Sequence, residues 1–160
     1  MKKIIVLSDT HGSRKGIDKL RPLIAENDYI IHLGDGAGDM REIMDEYPDK
    51  VYLVSGNCDF CAPFPNEGVL EVECLKILFC HGHRYGVKQH LYSLMEEAKK
   101  QRCDIVLYGH THDATITQIE GITFINPGTL RYPAGEGGSY CYLVVNKDKA
   151  TPVIVGEKMY

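Results

Sequence analysis

Five runs along this chain are short and almost continuously apolar: about Lys3 to Leu7, Tyr29 to Leu33, Val51 to Val54, Lys76 to Cys80 and Ile105 to Tyr108. Too short for helices and bounded by polar or glycine-containing turns, they read as strands buried on both faces. Helices are predicted over about Gly16 to Glu26, Met40 to Tyr47 and Gln89 to Gln101. The last shows the helical period most plainly, with Leu91, Leu94, Met95 and Ala98 on one face and Glu96, Glu97, Lys99 and Lys100 outside. Val69 to Glu73 alternates and is expected to pair antiparallel with Lys76 to Cys80. Further strands are predicted at Thr115 to Ile119, Thr123 to Ile125, Tyr140 to Val145 and Val153 to Val155. The pattern gives a helix-rich first half and a strand-rich second half. It holds no repeat or linker, only one flexible loop at Gly135-Glu136-Gly137-Gly138, so residues 1–160 read as a single domain.

Composition narrows what such a domain does. A chain of 160 residues buries about 70% of its unfolded surface and needs no metal merely to fold. A net charge of -4 and a pI near 6.0 argue against extended nucleic-acid binding; a phosphate-handling site would have to bring its own positive charge, as bound divalent ions do. Met1-Lys2-Lys3 resembles the start of a signal peptide, but the apolar run stops at Ser8-Asp9, short of the roughly 7–15 residues required. No stretch approaches the roughly 20 apolar residues of a membrane span, so the expectation is a cytoplasmic protein with no membrane partner. Cys74, Cys80, Cys103 and Cys141 lie in or beside apolar runs and read as buried residues of a reducing compartment. Cys58 and Cys61 form a Cys-x-x-Cys pair with no second pair at zinc-site spacing.

The buried runs end in ligand-type residues. Leu7 leads to Ser8-Asp9-Thr10-His11, Leu33 to Gly34-Asp35 and on to Asp39, Val54 to Ser55-Gly56-Asn57-Cys58-Asp59, Cys80 to His81-Gly82-His83, and Tyr108 to Gly109-His110-Thr111-His112. Asp9 and His11, like His110 and His112, are two apart, and on extended backbone such residues leave on one side. Each signal has an ordinary alternative: Asp9 or Ser8 as a cap on the first helix, Asn57 as a turn residue, His32 as a packed strand histidine. His83 and Arg84 read equally as anion contacts or as solvated residues. Taken together, Asp9, His11, Asp35, Asn57, His81, His110 and His112 are seven donors. They exceed one coordination shell and suit two ions sharing a carboxylate, ~3.5–4 Å apart. Mixed oxygen and nitrogen donors favour Mn, Fe, Co, Ni or Zn over Mg or Ca.

Asp9-x-His11, Gly34-Asp35, Gly56-Asn57-x-Asp59, His81-Gly82-His83 and Gly109-His110-x-His112 resemble the signature blocks of the calcineurin-like metallophosphoesterase superfamily. The Gly-Asn-Cys-Asp form and Asn126-Pro127-Gly128 resemble its small prokaryotic phosphodiesterase family. The resemblance implies an α/β (α+β) fold, a four-layer sandwich of two packed mixed β-sheets flanked by helices. It implies one divalent ion, most simply Mn, on Asp9, His11, Asp35 and His112, and a second on Asp35, Asn57, His81 and His110. A hydroxide bridging the two ions would attack a small phosphodiester substrate, with Asp35, Asn57, His81 and His83 as the catalytic set.

Two features depart from the wider superfamily. Cys58 stands where many members carry a histidine that protonates the leaving group, which leaves His83 or a water for that role. Asp39 is one residue further from Asp35 than usual, so Asp39 and Asp59 read as residues behind the ligands. A phosphomonoesterase, a small nuclease and a non-catalytic scaffold like the retromer subunit of the same fold are the rival readings. The C-terminal strand is expected at a sheet edge, leaving a homo-oligomer open. The loops Phe60 to Asn66, His83 to Lys88 and Leu130 to Gly138 would set the substrate, and the role of Arg131 is unassigned.

Overall fold

The computed structural model describes residues 1–60 and 62–156. One mixed sheet has the order β10-β9-β1-β2-β3, built from β1 (Lys2–Leu7), β2 (Tyr29–His32), β3 (Val51–Leu53), β9 (Tyr140–Asn146) and β10 (Lys149–Val155). The other, β4-β5-β6-β8-β7, comprises β4 (Glu67–Val72), β5 (Leu75–Cys80), β6 (Ile105–Leu107), β7 (Thr115–Ile119) and β8 (Ile122–Asn126). Helices α1 (Lys15–Glu26) and α2 (Arg41–Glu46) cover the first sheet, and α3 (Tyr92–Lys100) covers the second.

The continuous apolar runs have a physical cause in this layering. Along β1, Ile4 and Val6 face the other sheet, where they meet Ile77, Phe79, Ile105 and Leu107, while Ile5 and Leu7 face α1 with Ile17, Leu20 and Ile24. Along β5, Ile77 and Phe79 take the inner face and Leu78 and Cys80 pack under Leu94 and Ala98 of α3. Both faces of each central strand are dry, so period-2 alternation is lost. The four layers are those expected.

Four expectations shift. The strands divide evenly, five before His81 and five after, so only the helices are concentrated early. Helix α3 begins at Tyr92, because the amides of Gln89 and His90 close a turn on the Gly86 carbonyl instead of starting a helix. The last strand begins at Lys149, where it turns back on Asn146; Pro152 is tolerated because β10 is an edge strand. Cys80, Cys103 and Cys141 are buried, but Cys74 is exposed in the two-residue turn between β4 and β5. No helix among the described residues is long and apolar enough to cross a membrane.

Strands β1, β2 and β3 are mutually parallel, as are β5, β6 and β8. Their carboxyl ends meet at one edge. There the Asp9 amide donates to the Gly34 carbonyl (3.0 Å) and the Gly109 amide to that of His81 (2.9 Å).

Candidate metal centre

At that edge Asp9 is fully buried and its carboxylate is fixed from one side only. Oδ2 accepts from the Ser8 hydroxyl (2.5 Å) and the His110 amide (3.1 Å), while the Asp9 carbonyl accepts from the Thr129 hydroxyl (2.7 Å). Oδ1 is buried with no hydrogen-bond partner among the described residues. It faces imidazole nitrogens instead, 3.2 Å from His112 Nε2 and 3.5 Å from His11 Nε2, which lie 3.2 Å from each other. A second group stands beside it. His81 Nε2 is 3.3 Å from Asp35 Oδ2 and 3.1 Å from His110 Nδ1, and His11 Nε2 is 4.0 Å from the same Asp35 oxygen.

Donors about 2.0–2.2 Å from one ion sit about 3–3.5 Å from each other, the spacing found in both groups. A buried carboxylate oxygen with no hydrogen-bond partner, crowded by ring nitrogens, is a poor arrangement for a metal-free core and a good one for a cation. His81 is oriented as metal ligands are: its Nδ1–H donates to the Leu33 carbonyl (2.8 Å), leaving Nε2 to face the carboxylates.

The charges are coupled. Burial alone raises the Asp35 carboxyl, but the hydrogen bond from His81 and the Cys58 amide (2.8 Å) outweigh it and hold the group well below the usual carboxylate range. Burial lowers His81, yet the Asp35 and Asp9 carboxylates carry it above an ordinary histidine. His110 is lowered, first by burial and then by the charge on His81.

Backbone geometry pins the donors. Asp9, His11, Asp35, His110 and His112 all have positive φ, between 47° and 71°, a conformation that side chains with a Cβ adopt at a cost of about 1–2 kcal/mol each. Two glycines allow close approach: a Cβ on Gly56 would stand 2.1 Å from Asp35 Oδ1, and one on Gly109 would stand 2.2 Å from the Ser8 hydroxyl. Asp59 gathers the amides of Asp35 (2.7 Å), Gly36 (2.9 Å), Ala37 (3.2 Å) and Gly56 (2.8 Å), tying two donor loops together. Asp39 accepts from the Thr10 hydroxyl (2.6 Å) and the Gly12 amide (2.9 Å). Behind Thr10 lies His32, fully buried and hydrogen-bonded as a strand histidine should be. The Gly34 amide donates to its Nδ1 (3.0 Å), so its proton sits on Nε2 and donates to Thr10 Oγ1 (3.0 Å). Burial pushes this ring down to about 4.

Six of the seven predicted ligands, Asp9, His11, Asp35, His81, His110 and His112, thus converge from both sheets. Asn57 is exposed on the Asp59 loop, its amide nitrogen 3.5 Å from Cys58 Sγ. Cys58 Sγ itself comes within 4.8 Å of donor atoms of His11 and Asp35, but burial and the Asp35 charge push its thiol up; Cys61 lies outside the described residues. His83 packs its ring 5.4 Å from that of His81, with Nδ1 buried and unpartnered among the described residues, and burial lowers it. Arg84 is exposed and faces the Asn66 amide. Neither Asp9 nor Ser8 caps α1, whose N-cap is Arg14. Sequence reasoning missed the holding roles of Ser8, Thr129 and Asn126. The Asn126 amide donates to the Gly109 carbonyl (3.2 Å) and Thr111 Oγ1 (2.9 Å), shaping the His110 loop. Asn126-Pro127-Gly128 after a strand was the available signal; a lone Thr129 offers none.

Comparison with known proteins places this geometry. The profile of the calcineurin-like phosphoesterase superfamily domain matches residues 1–148. The chain is 34% identical over 152 residues to the probable metallophosphoesterase YsnB of Bacillus subtilis, covering 92% of this chain and 87% of that one. It is 26% identical to phosphodiesterase YfcE of Escherichia coli across 99% of this chain and 95% of that one. The crystal structure of Vps29 from Chaetomium thermophilum superposes with a TM-score of 0.78 at 20% identity, covering 96% of this chain and 88% of that one, a likeness of fold alone.

Proposed function

The chain belongs to the calcineurin-like phosphoesterase superfamily, and from that premise we propose that it is a binuclear metal-dependent phosphodiesterase formed by a single domain. Asp9, His11, Asp35 and His112 would hold one ion and Asp35, His81 and His110 the other, and Asn57 would complete the second set only by turning in from the exposed Asp59 loop. The observation that carries this reading is the orphaned Asp9 Oδ1 among imidazole nitrogens, one step from the Asp35 group. Two divalent ions held there against only two carboxylates would leave the site net positive and would supply Lewis-acid polarisation of a phosphoryl group and activation of water at neutral pH. Manganese is the metal we favour, on the mixed oxygen and nitrogen donor set.

The chain's own residues do the positioning. The Leu33 carbonyl fixes the His81 ring, Asp59 fixes the loop that presents Asp35, and Asn126 fixes the loop that presents His110. His83, beside His81 and held neutral by burial, is the imidazole placed to hydrogen-bond the substrate or its leaving oxygen. The raised Cys58 thiol is unsuited to giving up a proton there. Relatives named as phosphodiesterases support a diester substrate over a monoester. Cytoplasmic location belongs to the same proposal and rests on the free thiols of Cys58, Cys74, Cys80, Cys103 and Cys141.

The test is hydrolysis of bis(p-nitrophenyl) phosphate and p-nitrophenyl phosphate by metal-stripped protein with Mn²⁺, Mg²⁺ or Zn²⁺ restored. Diester turnover should require metal and favour Mn²⁺, and Asp35→Asn should lose about 10³-fold or more of kcat, several kcal/mol of stabilisation. Preference for the monoester would change the substrate and keep the site. No turnover with any metal, despite binding two ions, would point to a scaffold.

A further inference from the structure

His11 also lines a cavity of about 600 Å³ between Arg14 and Lys15 at the start of α1 and Arg131 and Tyr132 of the loop after β8, with Glu136 in its lining. The Arg131 wall is built onto the metal centre. The Leu130 amide donates to the Ser8 carbonyl (2.9 Å), the Thr129 hydroxyl donates to the Asp9 carbonyl (2.7 Å), and the Arg131 amide donates to Thr129 Oγ1 (3.2 Å). Arg131 is therefore placed by the residue next to a metal-ligand candidate and by that candidate itself.

The charge in this cavity is unbalanced. Arg14 is shared with Glu42 (2.6 Å), and Glu136 is engaged by Lys19 and reaches Lys15 only at longer range, so no described carboxylate lies at ion-pair distance from Lys15 or Arg131. Both are exposed, as is Tyr132 at 54%. A solvated lysine or arginine is ordinary; two cations with no ion-pair partner among the described residues and an exposed aromatic ring in one cavity with His11, in a chain of net charge -4, are not. The converging donors can hold the scissile phosphoryl group through bound ions, and Lys15 and Arg131 stand outside that donor set. On the Asp59 side lies a different space of about 570 Å³, lined by Met44, Phe60 and Phe64 with a single guanidinium, Arg41. The two sides of the centre thus suit unlike substituents.

We propose that the cavity beside His11 holds a second phosphoryl group of the substrate, so that the enzyme prefers phosphodiesters carrying an additional phosphate monoester on one substituent. This rests on the phosphodiesterase reading above. Guanidinium and ammonium groups bind a dianionic phosphate through charge-assisted hydrogen bonds, and the Tyr132 ring offers a face to the sugar or base between the two phosphates.

The test compares the p-nitrophenyl ester of thymidine 5′-phosphate with and without a 3′-phosphate, using manganese-loaded protein. Leaving group and scissile bond are identical, so any preference reports binding. Wild type should favour the 3′-phosphorylated ester about tenfold in kcat/KM, mostly through KM, and the preference should shrink with added salt. In the Lys15→Gln/Arg131→Gln variant the ratio should fall to near one. Equal kcat/KM for both esters in wild type, or a full preference kept by the variant, would overturn the proposal while leaving the phosphodiesterase reading intact. Should neither ester turn over, that reading fails separately. Calorimetric binding of thymidine 3′,5′-bisphosphate against thymidine 5′-monophosphate then decides this one: about tenfold tighter binding in wild type but not in the variant supports it, and equal binding sinks it.

Discussion

The two ends of the sandwich are built from the same unfavourable backbone conformation, used for opposite purposes. Among the described residues, nine non-glycine positions have positive φ. Glu73, Glu120 and Lys147 occupy two-residue hairpin turns, and Arg102 follows α3; all four lie at the end where the parallel strands begin. There the left-handed residue is what a tight turn or helix stop demands, and glycine or asparagine would serve as well. The other five, Asp9, His11, Asp35, His110 and His112, lie where those strands finish, and each carries a metal-ligand candidate. With the proposed metal-binding role, the side chain here cannot be surrendered, so the strain stays. Strain is informative when the residue that bears it cannot be exchanged for one that would relieve it.

The largest effect expected from this contrast comes from removing what holds each end. Asp59→Ala frees four amides around Asp35 and should lower kcat about 10–100-fold and weaken metal binding, with Asp59→Asn recovering part of the loss. Glu73, which accepts the Lys147 amide (2.8 Å) at the opposite end, is the matched control, and Glu73→Ala should leave kcat at the wild-type value. Equal losses from both would show that Asp59 acts on the whole fold and not on the site.

A smaller difference lies in pH. His32 is pushed down to about 4 by burial, against about 6.5 in the unfolded chain, so the unfolded state takes up the proton first as pH falls. Its contribution is complete above pH 6.5 and is lost between 6.5 and 4, on the order of 3 kcal/mol. Urea unfolding of metal-free protein should fall more steeply across that window for wild type than for His32→Gln. Parallel curves would mean that His32 is not the neutral buried ring described.

The smallest effect is the most direct test of the strain itself. The Arg102 amide bonds the Lys99 carbonyl (3.1 Å) and the Cys103 amide that of Ala98 (2.9 Å), a Schellman ending in which glycine is preferred. Arg102→Gly should raise stability by about 0.5–1 kcal/mol, a few degrees in Tm or less, with activity kept. His11→Gly should raise the Tm of metal-free protein by a similar amount while abolishing binding of one manganese ion. A fall in metal-free Tm for His11→Gly would refute the strain argument at the site.

Much of this was legible in the sequence because burial on both faces leaves an unmistakable signature, and because polar residues at the ends of such strands stand out. Asp9, His11, Asp35, His81, His110 and His112 were readable for that reason. The left-handed backbone at five of them was not, since aspartate and histidine carry no mark of φ. The start of α3 was misplaced because Leu91 packs in the helical stripe while the chain is still turning, and the length of β10 because Pro152 hides an edge strand. Asp59 and Asp39 were suspected, but apart from Gly56 the amides they collect come from residues about 20 or more positions away, beyond what spacing reveals.

That Asp9 and the His110 loop meet across a sequence separation of 101 has a consequence in time. Neither donor group can assemble until β6 and the loop that follows it have been made and the two sheets have docked, the slow, non-local step of folding. A nascent chain exposes these donors singly, none able to hold an ion for long. In the proposed enzyme, metal choice is therefore made late, by a finished cage and by whichever ions surround it when folding is complete.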